Sequence, residues 1–249
     1  MARVISKNNE LRHKTDTLRL YFTVSAAVCG LSFLLWVANI LFIRSFEPLF
    51  VFPVLVIFAL SSFAASSLFK CYSGYRSGLK GEEEVSRIVS TLPETYVGVS
   101  NVKVYYENKM SELDMVVVGP TGIFIVEAKN HRGSISGDYE DQYLTYEKVS
   151  SGGQYYEKSM YNPVRQVGTH TYRLSHFLRA NGINNWINSA VYFTNPLAFV
   201  DIHGSGDGAK IFVHSDSSGN DLVKYILDSK RSSMSSADVC KVVDLLIRC

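Results

Sequence analysis

Two long apolar runs near the N-terminus constrain this chain more than any other feature. Tyr21 to Ile43 is 23 residues without a formal charge, and Pro48 to Phe69 gives 22 more after the short loop Arg44-Ser-Phe-Glu47. A helix rises about 1.5 Å per residue, so ~20 residues cross the ~30 Å hydrocarbon core of a bilayer. Each run is long enough, and the brief connection makes them a tight transmembrane hairpin in contact with membrane lipid over residues 21–69. The first run is too long for the h-region of a cleaved signal peptide, and a second follows at once. Pro53 and the serines at 61, 62, 66 and 67 suit a span whose small residues pack against a neighbouring helix.

Lysine and arginine near the span ends set the expected orientation. Arg3, Lys7, Arg12, Lys14 and Arg19 precede the first run, Lys70, Arg76 and Lys80 follow the second, and only Arg44 lies between. The bias predicts an integral protein of the cytoplasmic membrane with both termini and the soluble part on the cytoplasmic side. The domain plan is a basic tail (1–20), spans at 21–43 and 48–69, a linker (70–77), a main domain (78–196) and a C-terminal α/β extension packed on it (197–249).

Charge is unevenly shared. From residue 70 onward there are 19 Lys and Arg against 20 Asp and Glu, leaving that part near −1 although the whole chain is +2. A dedicated duplex binder carries a strong basic excess, so tight duplex binding is disfavoured while a local basic groove stays open. The four cysteines have neither disulfide nor zinc spacing and read as unpaired thiols in a reducing compartment.

Along the soluble part, Ser77-Gly-Leu-Lys-Gly81 reads as a flexible exit from the membrane. Glu82 to Leu92 is predicted as a helix from Val85, Ile88, Val89 and Leu92, ended by Pro93. Strands follow at Tyr96–Tyr106, Leu113–Val118 and Gly122–Lys129. A polar, tyrosine-rich β excursion at 131–161 comes next, with strand-like pieces at Tyr143–Val149 and Gln154–Lys158. Asn162-Pro163 opens a helix to about Ala180. Ala190–Thr194 and Lys210–Val213 read as strands, and Asn220–Leu227 and Ala237–Ile247 as closing helices. Near-continuous apolar runs such as Ile123-Phe-Ile-Val126 predict strands covered on both faces.

The chemistry lies at the ends of these strands. Alternation puts Glu127 and Lys129 on one face. Asp114 interrupts an apolar strand, where an unpaired carboxylate costs several kcal/mol unless paired or bound to metal. Asp114 and Glu127 on adjacent strands can converge on one hard cation such as Mg²⁺ or Mn²⁺, with Glu82 on the preceding helix as a third carboxylate. Lys129 is positioned to orient an attacking water and stabilise charge on a phosphate. The ordinary alternative is that Glu-x-Lys is a common tripeptide at strand ends.

Four segments in order carry a family resemblance. They are Gly78-x-x-Gly81-Glu82-x-x-Val85, Glu112-Leu-Asp-Met-Val-Val-Val-Gly119, Gly122-Ile-Phe-Ile-Val-Glu-Ala-Lys-Asn130 with Gly133, and Asn162-Pro-Val-Arg-Gln166. Together they closely resemble the nuclease-related domain, NERD, of the PD-(D/E)xK superfamily, over about residues 78–196. The resemblance implies a restriction-endonuclease-like α/β fold: a central mixed sheet flanked by helices, here preceded by the transmembrane hairpin. It maps metal-binding positions onto Glu82, Asp114 and Glu127, catalytic positions onto Asp114, Glu127 and Lys129, and a site glutamine onto Gln166. Leu113 stands where the superfamily name implies proline, and Met115 where many members have histidine.

The function so implied is metal-dependent phosphodiester hydrolysis of DNA or RNA at the membrane. The alternative is a non-catalytic, membrane-attached binding or scaffold module that keeps the fold. Gln166, His170 and Arg173 share one helix face that can approach substrate, though a solvated face is the expectation for His170 and Arg173. His131 and Arg132 can touch phosphate or form a solvated turn, and the tyrosines between 139 and 161 can stack on bases or simply cover a sheet.

Overall fold

The computed structural model describes residues 1–7, 10–43, 48–149, 153–204, 206 and 208–249. The expected loop at 44–47 lies outside these. The chain divides into two compact units, Met1–Asn9 with Lys80–Cys249, and Glu10–Leu79.

In the smaller unit, α1 (Glu10–Ala38) ends in a π-helical turn at Asn39–Ile43, and α2 (Pro48–Ser90) begins. Both helices are long and apolar enough to cross a membrane. The pair is inside out. Its seam holds small polar groups, with Cys29 Sγ 3.0 Å from Ser62 Oγ and Ser32 and Ser61 buried, while Leu31, Leu34, Leu60 and Phe63 are exposed. Water would penalise such an apolar exterior; lipid would not. Phe22 meets Phe69 at 5.4 Å and Phe33 meets Phe58 at 6.0 Å across the seam.

α2 continues helically through residues 77–81, where a flexible exit is expected from Gly78 and Gly81. Each interior glycine costs a helix about 1 kcal/mol against alanine. At Gly81 the missing side chain is used: an added Cβ would lie 3.2 Å from Asn130 Cβ and 3.4 Å from Thr194 Oγ1. The glycine lets the helix press onto the strand ends that carry the chemistry.

The larger unit is built on a six-stranded mixed sheet. Its strands are β1 (Arg3–Ser6), β2 (Val97–Tyr106), β3 (Lys109–Gly119), β4 (Gly122–Lys129), β8 (Ile187–Phe193) and β10 (Lys210–Val213), in spatial order β1-β2-β3-β4-β8-β10. Part of the segment expected as a basic tail is therefore an edge strand, paired parallel to β2 with Arg3 beside Val97. The hairpins β2–β3 and β3–β4 are antiparallel, and β4–β8–β10 run parallel. Glu107 and Asn108 both take positive φ in the two-residue turn joining β2 to β3, as a type I′ hairpin requires.

The sheet is covered on both faces, as its unbroken apolar runs predict. One face packs on α3 (Pro163–Ala180) and α6 (Ser236–Arg248) through Val167, Leu174, Leu178, Val242 and Leu246. The other packs on the end of α2 and on α5 (Asn220–Leu227) through Val85, Val89, Leu222 and Ile226. A short helix, α4 (His214–Ser217), joins β10 to α5. The polar excursion is a second sheet, β7-β6-β5-β9, of Tyr155–Tyr161, Tyr143–Val149, Gly133–Asp138 and Ala198–His203. Neither β5 nor β9 is evident from periodicity, because each is only six residues long, β5 is rich in Gly and Ser, and β9 pairs with β5 over a long sequence distance.

Candidate active site

The site forms where β3 and β4 part. Their ladder runs from Gly119↔Gly122 to Met115↔Val126, and the residues beyond are no longer paired across it. At this point β3 changes face. Leu113 and Val116 both belong to the α3-side core and Met115 to the α2-side core, so strict alternation is broken at Asp114. The partner strand breaks at the matching place. Ser100 pairs with Met115 and Val102 with Leu113, leaving Asn101, at φ 56°, across from Asp114. Asparagine tolerates that left-handed conformation better than most residues. The distortion frees Asp114 to accept a 2.8 Å hydrogen bond from the Ala128 N–H through Oδ2.

Glu127 and Lys129 project from the end of β4 toward α3. Lys129 Nζ donates to Glu127 Oε1 at 2.7 Å and to Gln166 Oε1 at 2.9 Å. Gln166 stands in the first turns of α3, whose start is fixed by Asn162: its side chain accepts from the Val164 N–H while its amide nitrogen reaches three backbone carbonyls of the 138–141 turn. Glu127 is 1 % exposed. Its Oε2 lies 3.3 Å from Nδ1 of His170, one helical turn beyond Gln166. His170 is thus buried against the carboxylate, and the expectation of a solvated position is corrected. The α3 face follows the sheet end rather than solvent. Arg173 is spent on docking, donating to Met110 O at 2.9 Å and Ser111 Oγ at 2.6 Å.

The electrostatics are unbalanced toward negative charge. Burial, then the neighbouring Glu127 charge, holds the Asp114 carboxyl well above its usual range, against opposing pulls from Lys129 and the Ala128 N–H. Burial also pushes Glu127 up, but His170 and Lys129 outweigh it and leave that carboxyl lowered. Glu82, on α2, is raised from 4.5 to about 7 by burial, against a hydrogen bond from Asn101 and with added repulsion from Glu112, Glu127 and Glu83. Three carboxyls therefore compete for one region, and Glu127 Oε2 is buried without a well-formed hydrogen bond. Such a donor set fits a hard divalent cation, which would relieve the repulsion and take up the orphaned oxygen. Among the described residues no three His, Cys, Asp or Glu side chains are gathered at metal-holding distance. Asp114 and Glu127 are thus the neighbouring pair, with Glu82 at the margin.

Residues 77–194 match the family model of the nuclease-related domain, NERD. The chain is similar to that family over this segment. The mixed α/β sheet around it is the nuclease-like fold expected from the four ordered segments. An uncharacterized protein of Bacillus anthracis is 42 % identical over 62 residues, which is 24 % of this chain and 29 % of that protein. The chain thus spans less than a third of that relative's length. No solved structure matches.

Within the matched segment, Asp114, Glu127, Lys129 and Gln166 come together, and Glu82 lies near enough for its charge to act on them. Sequence reasoning misses Asn101, whose role depends on a paired distortion of two strands. It also underrates His170, although the four-residue step from Gln166 holds a usable signal. Thr194 is a third: its buried Oγ1 lacks a hydrogen bond while its N–H donates to Lys129 O at 2.9 Å.

Proposed function

We propose that this is a membrane-anchored nuclease whose nuclease-related domain hydrolyses phosphodiester bonds of nucleic acid with Mg²⁺ or Mn²⁺ at the cytoplasmic face. The observation that carries the reading is the Lys129 amine held between Glu127 and Gln166, beside an Asp114 carboxyl whose pKa is raised by burial and by the Glu127 charge.

Asp114 and Glu127 would hold the cation, with Glu82 available from the adjacent helix. A divalent ion there supplies Lewis acidity, acidifying a bound water and offsetting charge on the phosphate. Lys129, fixed by two acceptors, keeps its remaining N–H for an anionic oxygen, and a preorganised cation at that place stabilises developing charge without reorganising. Gln166 holds the amine in register. The Ala128 N–H fixes one Asp114 oxygen and so orients the carboxylate.

The membrane side of the proposal is supported by chain order. Met1–Asn9 and Lys80–Cys249 form one unit, so both ends of the hairpin start from one side, and the basic flanks favour the cytoplasm.

The test is the full chain in detergent with Mg²⁺ or Mn²⁺, offered single- and double-stranded DNA and RNA. Cleavage should fall at least about 100-fold in Asp114→Asn and in Lys129→Ala. Cleavage that survives both substitutions removes the assignment. Metal binding without turnover on any substrate replaces it with the scaffold reading. Reporter fusions at the C-terminus test the side, and an external reporter would overturn it.

A further inference from the structure

The β6–β7 hairpin sorts its side chains in a way that its composition hides. The sequences Tyr146-Glu-Lys148 and Tyr156-Glu-Lys158 look balanced in charge. Register separates them: Tyr146 pairs with Lys158 and Lys148 with Tyr156, whereas Glu147 pairs with Glu157. Directly paired residues of an antiparallel ladder share a face. One face of the ribbon is therefore a checkerboard of two lysines and two tyrosines, and the glutamates lie on the other.

The basic face continues the protein's interior. Leu144, one step closer to the body, lies in the α3-side core, and its partner Met160 and Tyr146 pack against that core. Beyond it Lys158, Lys148 and Tyr156 are exposed, with Tyr156 46 % accessible. The same face also reaches the candidate site. The His131 ring meets the Tyr146 ring edge-on at 5.2 Å, and the Tyr146 hydroxyl donates to Arg132 O at 2.8 Å. His131 is two residues from Lys129, whose charge helps to hold its ring below the usual pKa, after burial. A strip thus runs from Lys129 through His131 and Tyr146 to Lys158, Lys148 and Tyr156.

We propose that this face of the β6–β7 ribbon binds single-stranded nucleic acid and leads it to the site. The strip alternates cations with aromatic faces at the roughly 6.6 Å spacing of every second strand residue. Lysines match phosphates, and tyrosine rings accept bases from any sequence, provided those bases are not already stacked in a duplex. The near-neutral domain agrees: a short basic strip retains one strand, whereas duplex binding calls for a broad basic surface. The inference rests on nucleic acid being the ligand of the nuclease-related domain.

The experiment measures binding by the full chain in detergent, with EDTA present to suspend cleavage. The probes are a labelled oligothymidylate and a labelled duplex, each titrated across a salt series. Wild type should bind the single strand more tightly. Lys148→Gln with Lys158→Gln should weaken it about tenfold and reduce the log–log salt slope by about 1.4, near 0.7 per lost contact. Tyr156→Ala should weaken it about fivefold or more, with the slope unchanged. Lys224→Gln with Lys230→Gln removes the same charge elsewhere and should change neither quantity.

No wild-type binding, tighter duplex binding, or equal weakening by both lysine pairs would overturn the proposal. Circular dichroism confirms that each variant is folded before it is counted. Cleavage of the same probes with Mg²⁺ separates the two readings. Binding without cleavage removes the nuclease and leaves the ribbon, whereas cleavage with ribbon variants that bind like wild type removes the ribbon and leaves the nuclease.

Discussion

His170 Nδ1 and Glu127 Oε2 face each other at 3.3 Å, both buried and neither making a well-formed hydrogen bond. The contact joins α3 to the end of β4 and helps keep Glu127 ionised although it is sealed from water. Replacing His170 by leucine leaves that oxygen against an apolar wall. The expected cost is about 1–3 kcal/mol of stability, read from urea unfolding of the detergent-solubilised chain. Unchanged stability would mean that the imidazole does nothing for the carboxylate.

Gly78 and Gly81 lie on the same helix and should respond oppositely to alanine. At Gly78 an added Cβ meets only Leu11 Cδ2, at an ordinary 3.7 Å, so helix propensity should raise stability by about 0.5–1 kcal/mol. At Gly81 it crowds Asn130 and Thr194 beside Lys129 and Glu82. Gly81→Ala should depress cleavage more than melting temperature. Equal behaviour of the two variants would remove the argument that Gly81 sets the helix against the strand ends.

The raised Glu82 pKa gives the domain a pH signature. A carboxyl that titrates near 7 when folded and near 4.5 when unfolded holds its proton more tightly in the folded state. Its contribution to stability is complete below about pH 4.5, declines as pH rises, and is absent above about pH 7. Glu82→Gln should therefore unfold at higher denaturant than wild type at about pH 8 and lose this part of the pH dependence. A variant whose unfolding tracks wild type at every pH would show that the group titrates normally.

Strand β1 makes truncation costly. A fragment starting at residue 70 lacks the four β1–β2 pairs and the Ala2 N–H donating to Leu92 O at 2.6 Å. It also lacks Lys7 Nζ, which caps the last turn of α6 at Leu246 O, 3.0 Å, and Cys249 O. The loss should be about 4–7 kcal/mol at roughly 1 kcal/mol per hydrogen bond. Adding a peptide of residues 1–9 should recover part of it in thermal melts. A fragment as stable as the full chain would make β1 dispensable.

What the sequence discloses follows the range of the interaction. Alternation alone puts Glu127 and Lys129 on one face, and their 2.7 Å contact is that alternation realised. Asp114 is conspicuous as a lone carboxylate in an apolar strand, but its aim depends on a reset of alternation shared with Asn101, which needs both strands at once. Helical spacing groups His170 with Gln166, yet only packing decides that this face turns inward. The helical path through Gly78 and Gly81 overrides a local preference by tertiary contact. Strand β1 is invisible because its partner lies beyond two apolar helices.

That last arrangement imposes an order on synthesis. The ribosome releases β1 first and its partner β2 only after both apolar helices have emerged. Until then the strand has no partner. In a hairpin anchored as proposed, a first helix threaded backwards would leave β1 on the wrong side of the membrane, and the sheet would lack its edge. Completion of the sheet would then act as a check on how the hairpin was inserted.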